Sequence, residues 1–294
     1  MINGYREEKG SMINDRKVRE VADRLVLIEK SKVDNICTML REGANIGVEG
    51  EGRWPSWGRN NPTVNQFGER VADSLQTAVK DGIMYGPLKR EELPWKNFKV
   101  SPMTVRLKPT GRARIIMDLS YPHKIMLGRG EVCSPNEGMA NFLEFEPVTM
   151  GLDCRWQCKM YRAGRPCEMV KADWDMAYKH VSVRFADHHL QVVEFGGRFF
   201  IEKCLSFGGG NSPTLYHIPA SMLITMAEIQ SGFDPELNLM QLDDNCTVDK
   251  RGSVRLRAYR RAYRELAGEL GVGLAGEDNP SKAFPPSSKG KSWV

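Results

Sequence analysis

Three aspartates constrain this chain more than any other feature of its sequence. Asp173 closes a strand-like run that begins at Glu168, and Asp243-Asp244 separate two further strand-like runs, Leu237 to Leu242 and Cys246 to Val248. A strand ending in a carboxylate, beside a hairpin tip carrying two more, brings like charges to one point. At about 4 Å each pair repels by roughly 4 kcal/mol at an effective dielectric of 20. Such a cluster stays ionised when cations neutralise it, and hard oxygen ligands favour Mg²⁺ or Mn²⁺. Two such ions about 3.5–4 Å apart stabilise both the attacking and the leaving oxygen of a phosphoryl transfer. An isolated Asp-Asp pair is ordinary turn chemistry, so the surrounding segments decide.

Those segments divide at about residue 94. Before it the pattern is helical: Val18, Val21, Ala22, Leu25 and Ile28 repeat at helical spacing behind Asp15 as a cap, and Val33 to Leu40 continue it. Gly43 to Pro62 reads as a linker or irregular loop, and Asn65 to Asp81 as a further helix. After Pro94 short strands dominate: Phe98 to Val100, Val105 to Leu107 and, beyond a tight turn at Lys108 to Gly111, Arg112 to Asp118. Residues 123 to 165 are loop-rich with one short helix. A hairpin follows about Gly196-Gly197, then Leu205 to Asn211 lead into a helix with Ser212 as N-cap, Pro213 at the first position and a kink at Pro219. Val254 to Leu270 is a basic amphipathic helix stopped by Gly271.

Composition excludes several classes. Of 294 residues 41% are hydrophobic and 27% charged, which argues against wholesale disorder. No apolar run approaches the roughly 18 residues of a membrane span, and Met1 to Gly10 lack the apolar core of a secretory signal. The expectation is therefore an intracellular protein without a membrane partner. Seven irregularly spaced cysteines fit free thiols better than a zinc site or a disulfide framework. A net charge of +5 permits an anionic partner without demanding one.

Four motifs in order give the aspartates their context. Asp173-Trp174-Asp175-Met176-Ala177-Tyr178, Leu205-Ser206-Phe207-Gly208 with Ser212-Pro213, and Leu242-Asp243-Asp244 resemble motifs A, B and C of reverse transcriptases. Upstream, Lys108 with Arg114 to Pro122 resembles the fingers strand of the same family. The wording of Asp118-Leu119-Ser120-Tyr121-Pro122 and Ser134-Pro135-Asn136-Glu137-Gly138 is most similar to retrotransposon enzymes of the DIRS-like, tyrosine-recombinase type. The resemblance spans about residues 85 to 290. It implies an α+β fold: a right-hand palm, made of an antiparallel sheet backed by helices, with a fingers subdomain. It places a helical region and linker at 1–84, fingers at 85–126 and 184–204, and palm at 127–183 and 205–294, stopping before a thumb. Gln241 and Ser206 depart from the residues common in the family.

The same resemblance implies roles. Asp173 and Asp243 hold two Mg²⁺ or Mn²⁺ ions, with Asp244 a weaker ligand and the Trp174 carbonyl a further oxygen. Arg114 and Lys108 hold the β- and γ-phosphates, a task suited to a guanidinium fork. Phe207 and Gly208 lie along the incoming nucleotide, and Tyr178 packs where a ribose 2′-hydroxyl would go, favouring dNTPs. RNA template and DNA primer are the implied partners, with further domains of the element's polyprotein, and Arg257, Arg260, Arg261 and Arg264 are weaker candidates for nucleic-acid contact. Against these stand blander readings: a solvated Arg114, core packing for Phe207, a bracing Tyr178 and a solvated basic helix face. Asp118 is expected to be structural and Asp175 off the metal face. Rival functions remain open, namely a catalytically silent remnant that at most binds nucleic acid, an RNA-dependent RNA polymerase, and a nucleotide cyclase.

Overall fold

The computed structural model describes residues 11–26, 28–49, 58–108, 111–123, 134–140, 166–241, 244–276 and 284–287. In chain order the helices are α1 (Asp15–Leu25), α2 (Lys30–Glu42), α3 (Pro62–Gln66), α4 (Gly68–Lys80), α5 (Pro135–Gly138), α6 (Ser212–Ser231) and α7 (Val254–Leu270). The strands are β1 (Met84–Leu88), β2 (Met103–Leu107), β3 (Ala113–Met117), β4 (Cys167–Asp173), β5 (Val192–Phe195), β6 (Arg198–Glu202), β7 (Asn238–Gln241), β8 (Asp244–Lys250) and β9 (Phe284–Ser287). All ladders between these strands are antiparallel. Helices and antiparallel sheets share the chain, as an α+β reading requires. Among the described residues no helix is long and apolar enough to cross a membrane.

Local chemistry accounts for most boundaries and corrects some expectations. Asn14, not Asp15, caps α1: its side chain accepts from the Lys17 N–H, which leaves Asp15 in the first turn. Val26 then adopts a left-handed φ of 57°, so Val33 to Leu40 belong to a separate helix rather than a continuation. The expected helix from Asn65 begins three residues earlier, at Pro62, and is interrupted at Phe67, whose φ and ψ of −114° and 32° are not helical. Ser212 is the first residue of α6 and not its cap; its hydroxyl donates back to the Ser206 carbonyl. Phe98 to Val100 form no ladder, only a single bridge from Val100 to Val192.

The chain divides into two compact units. The first comprises Met1–Ser11, Met39–Leu143 and Tyr178–Leu215. It holds a three-stranded sheet in the order β1-β6-β5 and the β2–β3 hairpin. Helices α3 and α4 pack on these strands through Val64, Val71 and Leu75, which meet Met84, Met103, Val105 and Met117 in one apolar cluster. A second cluster joins Val100, Val192, Phe199 and Ile201. Sheet burial of this kind contributes roughly 1.5–3 kcal/mol for each fully buried large apolar side chain.

The second unit comprises Met12–Thr38, Glu144–Ala177 and Tyr216–Val294. Its sheet runs β7-β8-β4-β9. Helix α7 lies on β8 and β9 through a buried face of Leu256, Tyr259, Tyr263, Leu266 and Leu270, and α1 packs against it in turn. Ser253 caps α7 by accepting from the Leu256 N–H, and Gly271 ends it at a left-handed φ of 82°.

Candidate active site

In the second unit, β4 delivers Asp173 and β8 begins at Asp244. Every residue of β4 pairs in continuous register with β8, from Cys167 opposite Lys250 to Asp173 opposite Asp244. Asp244 is at the same time opposite Gln241 in the β7–β8 pair. The end of the central strand and the start of its neighbour thus meet at two aspartates. Asp244 lies in strand β8 and not in the turn; Asp243 lies outside the described residues.

Asp173 is 1% exposed, so its carboxylate is buried, and an ionised carboxylate persists in such a place only with compensating partners. Its backbone carbonyl accepts from the Ala275 N–H at 2.9 Å, and the Asp175 N–H donates to the Gly273 carbonyl at the same distance. Trp174 is 2% exposed; its indole N–H donates to the Tyr263 hydroxyl at 2.8 Å, and its ring meets that of Tyr216 edge-on at 5.2 Å. Burial pushes the Tyr263 hydroxyl well above its ordinary range, the Trp174 bond opposes that shift, and the Asp173 charge adds to it. Asp175 is exposed. Met176 takes a left-handed φ of 53° between Asp173 and Tyr178, a conformation uncommon for a residue with a side chain.

A buried polar network fastens the β7–β8 hairpin to the helices beneath. The Asn238 amide donates to Glu228 Oε1 at 2.9 Å and to the Tyr259 hydroxyl at 2.8 Å; the Asn245 amide donates to Asn238 Oδ1 at 2.6 Å, and Tyr259 donates to Asn245 Oδ1 at 3.0 Å. Thr247 completes the group through Asn238 Oδ1 at 3.2 Å. Burial raises the proton affinity of Glu228 despite the Asn238 bond. Sequence reasoning missed this network, because polar residues at alternate strand positions carry no signal of what lies under them.

The first unit gathers another set of expected residues around one ring. Phe207 lies 5.0 Å from Tyr178, ring to ring. The Arg114 guanidinium carbon sits 5.3 Å from the Phe207 centroid and Lys179 Nζ 5.6 Å from it, both within cation–π range. Lys179 also donates to the Leu205 carbonyl at 3.1 Å and pairs with the buried Glu202 at 3.0 Å. Burial raises Glu202, with Lys179 opposing, and pushes the Cys204 thiol up to about 12. Lys179 and Glu202 had no signal in the sequence beyond adjacency to named motifs.

Gly208 is fitted to one place. At φ 111°, a Cβ there would stand 2.1 Å from the Met117 carbonyl oxygen, so only glycine allows this approach. The Met117 N–H donates to the Phe207 carbonyl at 3.2 Å. Asn136 holds the same loop: its amide donates to the Gly208 carbonyl and to Ser120 Oγ, and its Oδ1 accepts from the Gly210 N–H, each at 2.8 Å. The motif wording had singled out Asn136 without a role. Asp118, expected to be structural, accepts from the Ser120 N–H at 3.1 Å and pairs with His123 at 3.3 Å.

Lys108 follows β2 and is exposed, with its N–H donating to the Arg112 carbonyl at 2.9 Å. On α7, Arg257, Arg261 and Arg264 are exposed and Arg260 is half-buried, on the side away from the apolar face; Arg257 stands 3.8 Å from Glu168. Among the described residues, which do not include Asp243, no group of three or more His, Cys, Asp or Glu is placed to hold a metal ion. A buried carboxylate at Asp173, with a second aspartate opposite it in register, is nonetheless the donor type that suits a hard divalent ion.

Comparison with known proteins identifies the fold. No protein-family model matches the chain, and no curated protein matches its sequence. Solved structures do. The native protease-reverse transcriptase of prototype foamy virus superposes with a TM-score of 0.56 at 11% identity, covering 87% of this chain and 32% of that one. The foamy viral protease-reverse transcriptase in complex with dsDNA gives 0.54 at 12% identity, covering 92% and 52%, and the complex with an RNA/DNA hybrid 0.53 at 12%, covering 88% and 32%. The chain has a reverse-transcriptase-like fold. It spans between about a third and a half of the length of those structures.

Proposed function

We propose that this chain is the polymerase portion of a retrotransposon reverse transcriptase, extending a DNA primer along an RNA template with dNTPs. The motif wording supports an element of the DIRS-like, tyrosine-recombinase type. One observation carries the reading: in a reverse-transcriptase-like fold, the register of β4 and β8 sets Asp173 opposite Asp244, at the residues where the order of motifs puts the metal ligands. Asp173, Asp243 and Asp244, with the Trp174 carbonyl, would hold two Mg²⁺ or Mn²⁺ ions. When bound, these lower the cost of charge on the attacking and leaving oxygens.

This chain's own residues bind and orient. Arg114 and Lys108 neutralise the β- and γ-phosphates, and a guanidinium offers the bidentate geometry a phosphate accepts. Phe207, bracketed by Arg114, Lys179 and Tyr178, offers the nucleotide a rigid ring, and Gly208, passing close to the Met117 carbonyl, holds the loop that lies along it. Tyr178 excludes a ribose 2′-hydroxyl by bulk. Exposed arginines on α7 attract the phosphates of template and primer, so binding weakens steeply with salt. Most of the rate enhancement is then positioning and charge compensation.

The test is primer extension on an RNA template with Mg²⁺ or Mn²⁺, comparing the chain with Asp173→Asn and Asp243→Asn. Extension by the unaltered chain and its loss, by about 10³-fold or more, in both variants is expected. Equal inactivity of all three, with salt-sensitive binding retained, would instead identify a binding remnant. In single-nucleotide extension, Tyr178→Ala is expected to raise ribonucleotide incorporation; unchanged sugar selectivity would remove that role.

A further inference from the structure

We infer that Arg106 is a second anion-binding residue, forming with Arg114 a cross-strand guanidinium pair that closes on the phosphate chain of a nucleoside triphosphate. The inference deepens the nucleotide-binding half of the proposed function and rests on it. Arg106 of β2 lies directly opposite Arg114 of β3 in an unbroken antiparallel register from Met103–Met117 to Leu107–Ala113. Residues directly opposite in such a ladder share a face, with Cβ atoms about 4.5–5.5 Å apart, and like charges there destabilise the pairing. The other face is committed to the core, since Met103, Val105 and Met117 are buried. Arg106 and Arg114 are both exposed. Among the described residues no carboxylate forms an ion pair with either, or with the neighbouring Arg112.

A strand that sets two guanidiniums against each other contradicts the local rule for sheet stability, and natural chains break such rules at functional or strained sites. An anion of high charge density removes the contradiction, because each fork donates two parallel hydrogen bonds to phosphate oxygens. The Arg114 guanidinium lies over the Phe207 ring at 5.3 Å, which fixes where one half of the pair sits. A triphosphate matches two adjacent forks better than a single phosphate does, since its oxygens extend over more than one such bond pair.

The pair makes a prediction that a solvated surface arginine does not: removing Arg106 relieves repulsion and weakens anion binding together. Thermal unfolding of the full chain, titrated with sodium tripolyphosphate at constant ionic strength, tests it. Arg106→Thr is expected to melt no lower than the unaltered chain without the anion, and to bind tripolyphosphate about tenfold more weakly. Arg106→Lys, which keeps the charge and loses the fork, is expected to fall between, while Arg112→Thr, of the same net charge as Arg106→Thr, changes affinity least. Equal weakening by Arg112→Thr, unchanged affinity in Arg106→Thr, or no affinity in the unaltered chain would each overturn the inference. Failure of primer extension with the anion response intact would sink the polymerase reading alone.

Discussion

The surroundings of Asp173 and of Phe207 are built by different means. Asp173 is placed by main-chain pairing, seven consecutive partners along β4 and β8, with a polar network locking the hairpin from beneath. Phe207 is placed by side chains, namely Arg114, Lys179 and Tyr178 about its ring, and by a loop that passes the Met117 carbonyl only because residue 208 lacks a Cβ. A register is cooperative, so no single side chain sets the position of a strand-end carboxylate. A side-chain cluster has no such redundancy. The first arrangement suits a ligand set that must not move, and the second suits selectivity that can be tuned one residue at a time.

Three substitutions would break or sharpen that contrast. The largest effect is expected at Gly208→Ala, where steric overlap with Met117 and a φ of 111° act together; a loss on the order of 3 kcal/mol is expected in denaturant unfolding. A melt unchanged from the unaltered chain would show that the loop has room to shift. Tyr259→Phe removes one hydroxyl from the Asn238–Asn245 network and should cost about 2 kcal/mol, because the buried Asn245 and half-buried Asn238 amides each lose a partner. If register alone places the acids, nucleotide KM stays unchanged in this variant while stability falls. A rise in KM without a fall in stability would refute the contrast.

The smallest effect concerns pH. Burial raises Glu228 above its ordinary value of 4.5, so the folded chain holds that proton more tightly than the unfolded chain does. Its contribution to stability is full below 4.5 and is lost as pH rises through the folded value. Glu228→Gln keeps an acceptor for the Asn238 amide and removes the titration. The melting temperature of Glu228→Gln relative to the unaltered chain should therefore increase as pH is raised from 4.5 toward neutrality. A constant difference across that range would mean that Glu228 titrates alike in both states.

Legibility in the sequence followed the range of the interaction. Strand β4, the β5–β6 hairpin at Gly196-Gly197 and helix α7 with its Gly271 stop were readable because period and turn chemistry are local signals. The cap of α1 was misplaced by one residue, since Asn14 and Asp15 are both good caps and only the backbone chooses between them. The break at Phe67 was invisible because the apolar spacing runs through it. At the candidate site, Asp173, Arg114, Tyr178, Phe207 and Gly208 were named from motif order. Asn136 and Lys179 acquired partners only in three dimensions: Gly208 and Gly210 lie 72 and 74 residues from Asn136, and Glu202 lies 23 from Lys179.

By itself the sequence determined which residue types could do chemistry, because a carboxylate, a guanidinium and a Cβ-free backbone are fixed by identity and their order along the chain is fixed with them. It determined the alternation of strand and helix for the same reason, since side-chain period is a property of neighbours. Tertiary structure decided the rest. The pairing of Asp173 with Asp244 and of Arg106 with Arg114 depends on strand register, and a slip of one residue would turn each partner to the other face of its sheet. Register is chosen by the summed burial of whole strands, a quantity that no single residue carries.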